Sequence, residues 1–430
     1  MEEDLRYHFL QEISDHNILA LTSRCNVHCR FCSHGNNPPG TQVYMGGSRN
    51  LDEVMLSLDF LDPHRDIIIG ESASPVCEGE PFLFKDLRQV LTAIRKKFPR
   101  TTIRITTNGT FLTEATIAWL KELSPLHINL SLNTLSHRDM VMSDASDVAV
   151  KAPPLLKKAE IPFQGSVVLI PEITGWEDIK RTACFLHENG AELVRLLLPG
   201  YSRIAPLERC YDWGERQRLA MELIDALPGV NLLEPPVYDN SLPLIYGILP
   251  NSPADHGQLQ KGDLIQDVNG VKPWNRYDAW RRIARETSCR LTICRGNNTF
   301  SVFLEKAKGN GGGIVFLNDL DPVRLERIAL IHEQQQGNGI LFCSAMGRPY
   351  LESNIPLFPI LRDLALVTVE NHYFGGNIGA AGLLTVEDYE RAAANFHFDY
   401  AFLPEESFSS KGKDLAGVSE DALSFTHWIC

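Results

Sequence analysis

Along the first half of the chain, short apolar runs alternate with longer stretches whose apolar residues recur at helical spacing. The runs are Ile18–Thr22, Ile67–Ile69, Thr102–Ile105, Ile128–Leu132, Ser166–Ile170 and Val194–Leu198. A short, nearly continuous apolar run suits a strand buried between layers. Leu83–Phe98, Glu114–Leu123 and Trp176–Asn189 carry the three-to-four-residue period of amphipathic helices. Strands alternating with helices predict a parallel sheet with right-handed crossovers, here an incomplete α/β barrel.

The pattern then changes. A helical segment, Trp213–Leu227, runs out before Glu234-Pro235-Pro236, a stretch that reads as a domain boundary. From Leu242 to Leu304 the chain reads as short strands around one helix, Tyr277–Glu286. Lys308–Gly313 is a glycine-rich joint or hairpin turn. The remainder is again mixed α/β, with a strand at Leu364–Glu370 and a helix at Val386–Asn395. These breaks predict a barrel over 1–205, a helical linker over 206–236, a small β-rich domain over 237–307 and a C-terminal α/β domain over 308–430.

Charge and cysteine usage narrow the function. The 430 residues carry a formal charge of −13, which argues against nucleic acid as the main partner. No apolar run reaches the roughly eighteen residues of a membrane span, and the acidic start Met1-Glu2-Glu3-Asp4 is unlike a signal peptide. The expected compartment is the reducing cytoplasm, where ten cysteines are better read as ligands or core thiols than as disulfides. Cys184, Cys210 and Cys343 are isolated in sequence. Cys289 and Cys294 are five apart on one predicted strand, so they face opposite sides.

The segment Cys25-Asn26-Val27-His28-Cys29-Arg30-Phe31-Cys32 places three thiols in eight residues, just after the first predicted strand. Strand ends are where α/β barrels keep their chemistry. Three thiolates on one loop can hold three irons of a cubane cluster and leave the fourth open. A zinc ion bound by the three cysteines with His28 or His34 is the chemical alternative.

Further residues extend the pattern. Cys77-Glu78-Gly79-Glu80-Pro81 follows the second strand, Thr106-Thr107-Asn108-Gly109-Thr110 the third, and Ser131-Leu132-Asn133-Thr134 ends the fourth. Gly165–Glu172 spans the fifth. With the cysteine loop, these landmarks resemble the radical SAM superfamily from Ile18 to about Pro199, with Glu78 standing where that family has a glycine and Leu169 departing from a second one. The resemblance implies a partial (β/α)6 barrel holding one 4Fe–4S cluster on Cys25, Cys29 and Cys32. It implies S-adenosylmethionine beside it, with the ammonium against Glu78, Gly79 and Glu80, the ribose near Ser131 and Asn133, and the adenine near Phe31. It also implies a low-potential electron donor of the flavodoxin or ferredoxin type. Cys77, beside this loop, reads as a small residue at a strand end.

Asn251–Asp255 followed by Leu259–Gly270 resembles a PDZ domain, ending in the tight-turn pair Asn269-Gly270. That resemblance implies a peptide or protein partner added as a strand, its carboxylate held by Ser241-Leu242-Pro243-Leu244, although Pro243 offers no amide. The module is expected to act as a tether outside the radical site. In the last domain, Gly375–Gly382 leads toward a helix, and close packing explains the glycines better than a dinucleotide motif. Together, the PDZ-like segment and this tail resemble radical SAM proteins with an embedded PDZ module and a C-terminal domain of unknown function. The expected activity is radical SAM oxidoreductase or transferase chemistry. The competing reading is a non-enzymatic PDZ scaffold with a structural metal.

Overall fold

The computed structural model describes residues 2–72, 75–206, 211–225, 227, 229–234, 236–237 and 239–430, so Cys210 and Pro235 lie outside the described residues. Two compact units divide the chain, Met1–Pro235 and Pro236–Cys430.

The first unit opens with α1 (Glu2–His16) and α2 (Leu51–Ser57). Strands and helices then alternate: β1 (Ile67–Ile69), α3 (Leu87–Lys97), β2 (Ile103–Thr107), α4 (Glu114–Lys121) and β3 (Leu126–Ser131). After two helices, α5 (Arg138–Met142) and α6 (Val148–Ala159), come β4 (Phe163–Val168), α7 (Pro171–Glu188), β5 (Val194–Leu197), α8 (Trp213–Asp225) and β6 (Val230–Leu232). The six strands form one sheet in the order β1 to β6, each parallel to its neighbours.

Because side chains alternate along a strand, the sheet has two different faces. Ile105, Leu130, Val167 and Leu196 point to one face and pack with Ile94, Ile117, Leu156 and Leu186 of the helices. The other face is polar. Thr106 stands beside Asn129, Ser131 beside Ser166, and Ser166 beside Arg195.

Two expectations change here. Ile18–Thr22 joins the sheet only through a parallel bridge of Ile18 to Ile68, and Thr22 pairs with Ser48 instead. The 206–236 segment is no mere linker, since it supplies α8 and the edge strand β6. Three residues with Asn231 exposed between buried Val230 and Leu232 are too short for periodicity to reveal.

The second unit begins with β7 (Gly247–Ile248), α9 (Pro253–His256), β8 (Leu264–Val268), α10 (Arg276–Arg285), β9 (Ser288–Arg295) and β10 (Asn298–Glu305). Strands β10, β9 and β8 make an antiparallel sheet. The glycine joint leads into β11 (Ile314–Val315), which pairs antiparallel with β7, so the β-rich region reaches past residue 307.

There follow α11 (Pro322–His332), β12 (Gly339–Cys343), α12 (Arg348–Asn354), β13 (Ala365–Thr368), α13 (Val386–Ala393), β14 (Tyr400–Leu403) and β15 (His427–Ile429). The last four strands form a parallel sheet in the order β13-β12-β14-β15. Thr385 and Asp388 close a capping box at the start of α13, which fixes that helix where the glycine-rich segment ends.

The β-rich region is locked to this sheet. The Trp274 ring stacks on Phe358 at 4.7 Å. Asn275 Nδ2 donates to Leu320 O at 2.7 Å and to Asn354 Oδ1 at 2.8 Å. Arg276 and Asp319, both fully buried, pair at 3.3 Å. A buried, hydrogen-bonded ion pair does not suit a mobile tether, because separating it would strand a charge out of water.

Candidate active site

At the carboxyl edge of the first sheet, the cysteine loop is held by hydrogen bonds rather than by bulk packing. His28 N donates to Met142 O and Arg30 N to Val141 O, each at 2.9 Å, so the end of α5 fixes the loop on both sides of Cys29. Cys32 N turns back to Cys29 O at 3.1 Å, and Asn36 Nδ2 donates to Cys32 O at 2.8 Å. Phe31 packs with Val27, Val141, Met142 and Ile170. Cys25 is exposed, while Cys29 and Cys32 are half-buried.

The thiols sense one another. Burial, with Cys32 and Cys25 adding to it, pushes the Cys29 thiol up to about 12. Burial above all also holds Cys25 above its ordinary range. A bound cation would relieve this repulsion between thiolates. Among the described residues, no three His, Cys, Asp or Glu side chains gather round one point as ligands of a single ion would. A cubane asks for something different, since each thiolate takes its own iron. Three thiols on one loop are the donor set that a cubane with one open iron takes.

The loop after β1 lies directly against the cysteine loop. Gly79 N donates to Thr22 O at 2.7 Å, and Glu80 N to Arg24 O at 2.8 Å. A Cβ at Gly79 would come within 2.1 Å of Arg24 O, so only glycine permits this approach. The two glutamates act from within. Glu78 is turned away from the opening, and its carboxylate accepts from Leu21 N at 3.1 Å. Burial raises it to about 8, against the lowering effect of Leu21 N and Arg49. Glu80 accepts from Asn108 N and Thr107 Oγ1, both at 2.8 Å, and from Phe82 N at 3.3 Å. Its burial outweighs these bonds and lifts it to about 7. Cys77 is buried, its N donating to Tyr44 O at 2.9 Å, and burial with Cys32 nearby raises its thiol.

Ser131 and Asn133 do not act alike. Ser131 ends β3 half-buried, its hydroxyl 3.3 Å from Ser166 Oγ. Asn133 takes a left-handed conformation, φ 65°, which breaks the strand alternation. Its Oδ1 accepts from Val168 N at 3.1 Å, and its Nδ2 donates to Ser131 O at 3.3 Å. That carboxamide ties β3 to β4.

Two residues that sequence reasoning did not single out organise the site. Arg138, 4% exposed, donates to Asp144 Oδ2 through Nε at 2.8 Å and Nη2 at 2.7 Å. It also reaches Leu132 O at 2.6 Å and Asn108 O at 3.3 Å, so it joins the ends of β2 and β3 to the helix that holds the cysteines. Burial opposes ionisation of Asp144, but bonds from Ser146 and Arg138 keep its carboxyl below the ordinary range. Asn108 donates to Asn26 Oδ1 at 2.9 Å and lies 3.9 Å from Cys25 Sγ. An arginine in a short helix has no sequence signal of such a role. Asn108 stood inside a recognised turn.

In the second unit, Ser241–Leu244 is already engaged. Leu242 N donates to Asn240 Oδ1, Leu244 N to Leu242 O, and Arg276 Nη1 to Leu242 O. With Pro243 lacking an N–H, this segment has little left for a terminal carboxylate. The groove beside α10 is instead formed by β11 and the residues after it. Tyr277 and Trp280 line a cavity of ≈ 470 Å³ with Ile314–Asn318, and the Arg276–Asp319 pair forms part of its wall.

Residues 19–186 match the family model of the Radical SAM superfamily, and this part of the chain is a radical SAM domain. That superfamily works with a 4Fe–4S cluster and S-adenosylmethionine, which are accordingly the cofactors of the domain. Similar curated proteins include the GTP 3′,8-cyclase of Aquifex aeolicus (strain VF5), 29% identical over 33% of this chain and 45% of that protein. The GTP 3′,8-cyclase of Mycobacterium marinum (strain ATCC BAA-535 / M) is 29% identical over 41% of this chain and 48% of that protein. The chain thus spans about half the length of the curated relatives it matches. Among solved structures, Streptococcus suis SuiB bound to precursor peptide SuiA is similar, with TM-score 0.40 and 16% identity over 50% of this chain and 48% of that one. No helix among the described residues is long and apolar enough to cross a membrane.

Proposed function

We propose that the protein is a radical SAM enzyme whose Cys25, Cys29 and Cys32 hold one 4Fe–4S cluster and whose Cys77–Glu80 loop receives S-adenosylmethionine. Reduced by a flavodoxin- or ferredoxin-type donor in the cytoplasm, these cofactors would supply a 5′-deoxyadenosyl radical that takes a hydrogen atom from the substrate. The observation that carries the reading is the cysteine loop itself, fixed by the α5 carbonyls against a loop that only Gly79 lets approach.

The chain's own residues divide the work. Glu78 and Glu80 hold the second loop from behind, which leaves its backbone to meet the ammonium. Ser131, at the open end of β3, is the residue offered to the ribose, with Asn133 fixing its neighbour strand. Phe31 supplies an apolar wall for the adenine. The polar face carrying Thr106, Asn129, Ser166 and Arg195 is where a substrate would lie. There Asn129 Oδ1 and Arg195 Nε are buried without hydrogen-bond partners among the described residues, as groups awaiting a polar ligand would be.

The substrate we favour is a peptide or protein, admitted as an added strand along β11 beside α10, in a PDZ-like region. The four-part division at 205, 236 and 307 is kept as a description of roles, with β6 as the edge strand of the barrel sheet and β11 completing the β-rich part.

Anaerobic reconstitution tests the proposal. Iron and acid-labile sulfide should appear in equal amounts, and dithionite should convert S-adenosylmethionine to 5′-deoxyadenosine. A protein that takes up zinc but neither iron nor sulfide would establish the scaffold reading instead.

A further inference from the structure

The sheet of the second unit has a feature that the first lacks. Strand β12 comes first in the chain, β13 lies on one side of it and β14 on the other. The connections leaving β12 and β14 therefore part to opposite faces, and open parallel sheets bind ligands in the crevice outside the carboxyl ends at such a reversal.

A cavity of ≈ 300 Å³ lies there. Its walls are Leu325 and Ile328 of α11, Leu341 of β12, Leu351 of α12 and Leu403 of β14. That volume is at the lower end of the roughly 300–1,000 Å³ of small-molecule sites.

The polar groups around it decide what it can hold. Three of the amides around it are used: Met346 N donates to Gly379 O, Arg348 N to Ser344 O and Glu405 N to Cys430 O. Gly347 N donates to Ser344 Oγ at 3.0 Å. Arg324, the cation at the rim, is paired with both Glu405 and Glu406. Two carboxylates against one guanidinium leave that rim negative, so an anion is disfavoured. Ser344, 3% exposed, accepts the Gly347 bond and keeps its own proton to donate.

We infer that this cavity is a binding site for an uncharged, largely apolar small molecule carrying one hydrogen-bond acceptor, with Ser344 as its donor. Nucleotides and dinucleotides, frequent occupants of such crevices, do not fit its negative rim.

Fluorine NMR on the full chain tests this with 4-fluoroacetophenone and its anionic counterpart, 4-fluorobenzoate. The ketone should bind saturably in the millimolar range, and the benzoate at least about tenfold more weakly. Leu351→Trp, which fills the cavity, should weaken the ketone at least about tenfold. Ala381→Leu, narrowing the cavity from its rim without touching the core, should do the same and stands in if the tryptophan variant does not fold. Ser344→Ala should cost about two- to tenfold. Absence of saturation by the ketone, equal binding of the benzoate, or unchanged ketone affinity in a folded filled variant would each overturn the assignment.

Discussion

The chain contains two parallel sheets built by the same local rule and put to different use. In the first, strand order follows chain order, and the helical residues that pack on it meet its apolar face. The opposite face is left polar, with the cysteine loop and the loop after β1 at its carboxyl edge. In the second, the order reverses at β12, and apolar clusters cover both faces. Phe342 packs with Tyr389 on one side, and Leu341 with Leu325 and Ile328 on the other. At the reversal the sheet keeps a crevice of ≈ 300 Å³ lined largely by apolar side chains. Strand order sets where the second sheet keeps its crevice, while polar side chains at alternate positions make the floor of the first.

The comparison breaks most visibly at the cysteines. Cys29→Ala should abolish iron uptake and S-adenosylmethionine cleavage, while the unliganded protein keeps its stability to within about 1 kcal/mol, because the thiol is a loop residue and not a core one. Iron analysis and urea unfolding of the same sample check both halves. A variant that retained a full cluster would move the site elsewhere.

Arg138→Ala should be costly to the fold as well. It leaves Asp144 buried without its partner, at about 3–5 kcal/mol, and frees the loops of β2 and β3 from α5. Arg276→Ala should cost a similar amount in the second unit by stranding Asp319. The pair sharpens the comparison, since only the first change should lower iron incorporation in protein that is still folded.

Gly79→Ala comes next. Its methyl group would meet the Arg24 carbonyl, so the loop must shift, at about 1–3 kcal/mol. Affinity for S-adenosylmethionine, measured by calorimetry on reconstituted protein, should fall more than stability does. Equal affinity would mean that the approach of the two loops is not needed for binding.

The last effect is a slope. Glu78 has a folded-state value raised to about 8, so its stabilising share is complete below its ordinary range near 4.5 and is lost as pH rises through 8. Glu78→Gln should therefore gain on the parent chain as pH increases over that window. Urea midpoints at about pH 5 and about pH 8 read it, and parallel curves would show that the carboxylate does not titrate there.

Much of this was legible without coordinates. Alternating apolar runs and helical periods located most strands of the first sheet, because burial on a regular backbone imposes its period on the sequence. The cysteine spacing singled out one loop, because three thiols on one turn are a local feature. What the sequence withheld depends on long-range geometry. Its glutamates looked alike, yet Glu78 turns inward to Leu21 while Glu80 ties its loop to β2. Ser131 and Asn133 looked like equal partners until a left-handed residue turned one of them toward β4. Arg138 gave no signal, since its importance lies in three carbonyl and carboxylate partners brought together only by folding. The glycine run before Ile314 read as a joint, and pairing with β7 made it part of the β-rich region. Composition and periodicity determined which segments become strands and helices. Tertiary structure alone decided which polar side chains are spent in holding loops and which stay open to a ligand, because a hydrogen bond depends on where its partner ends up.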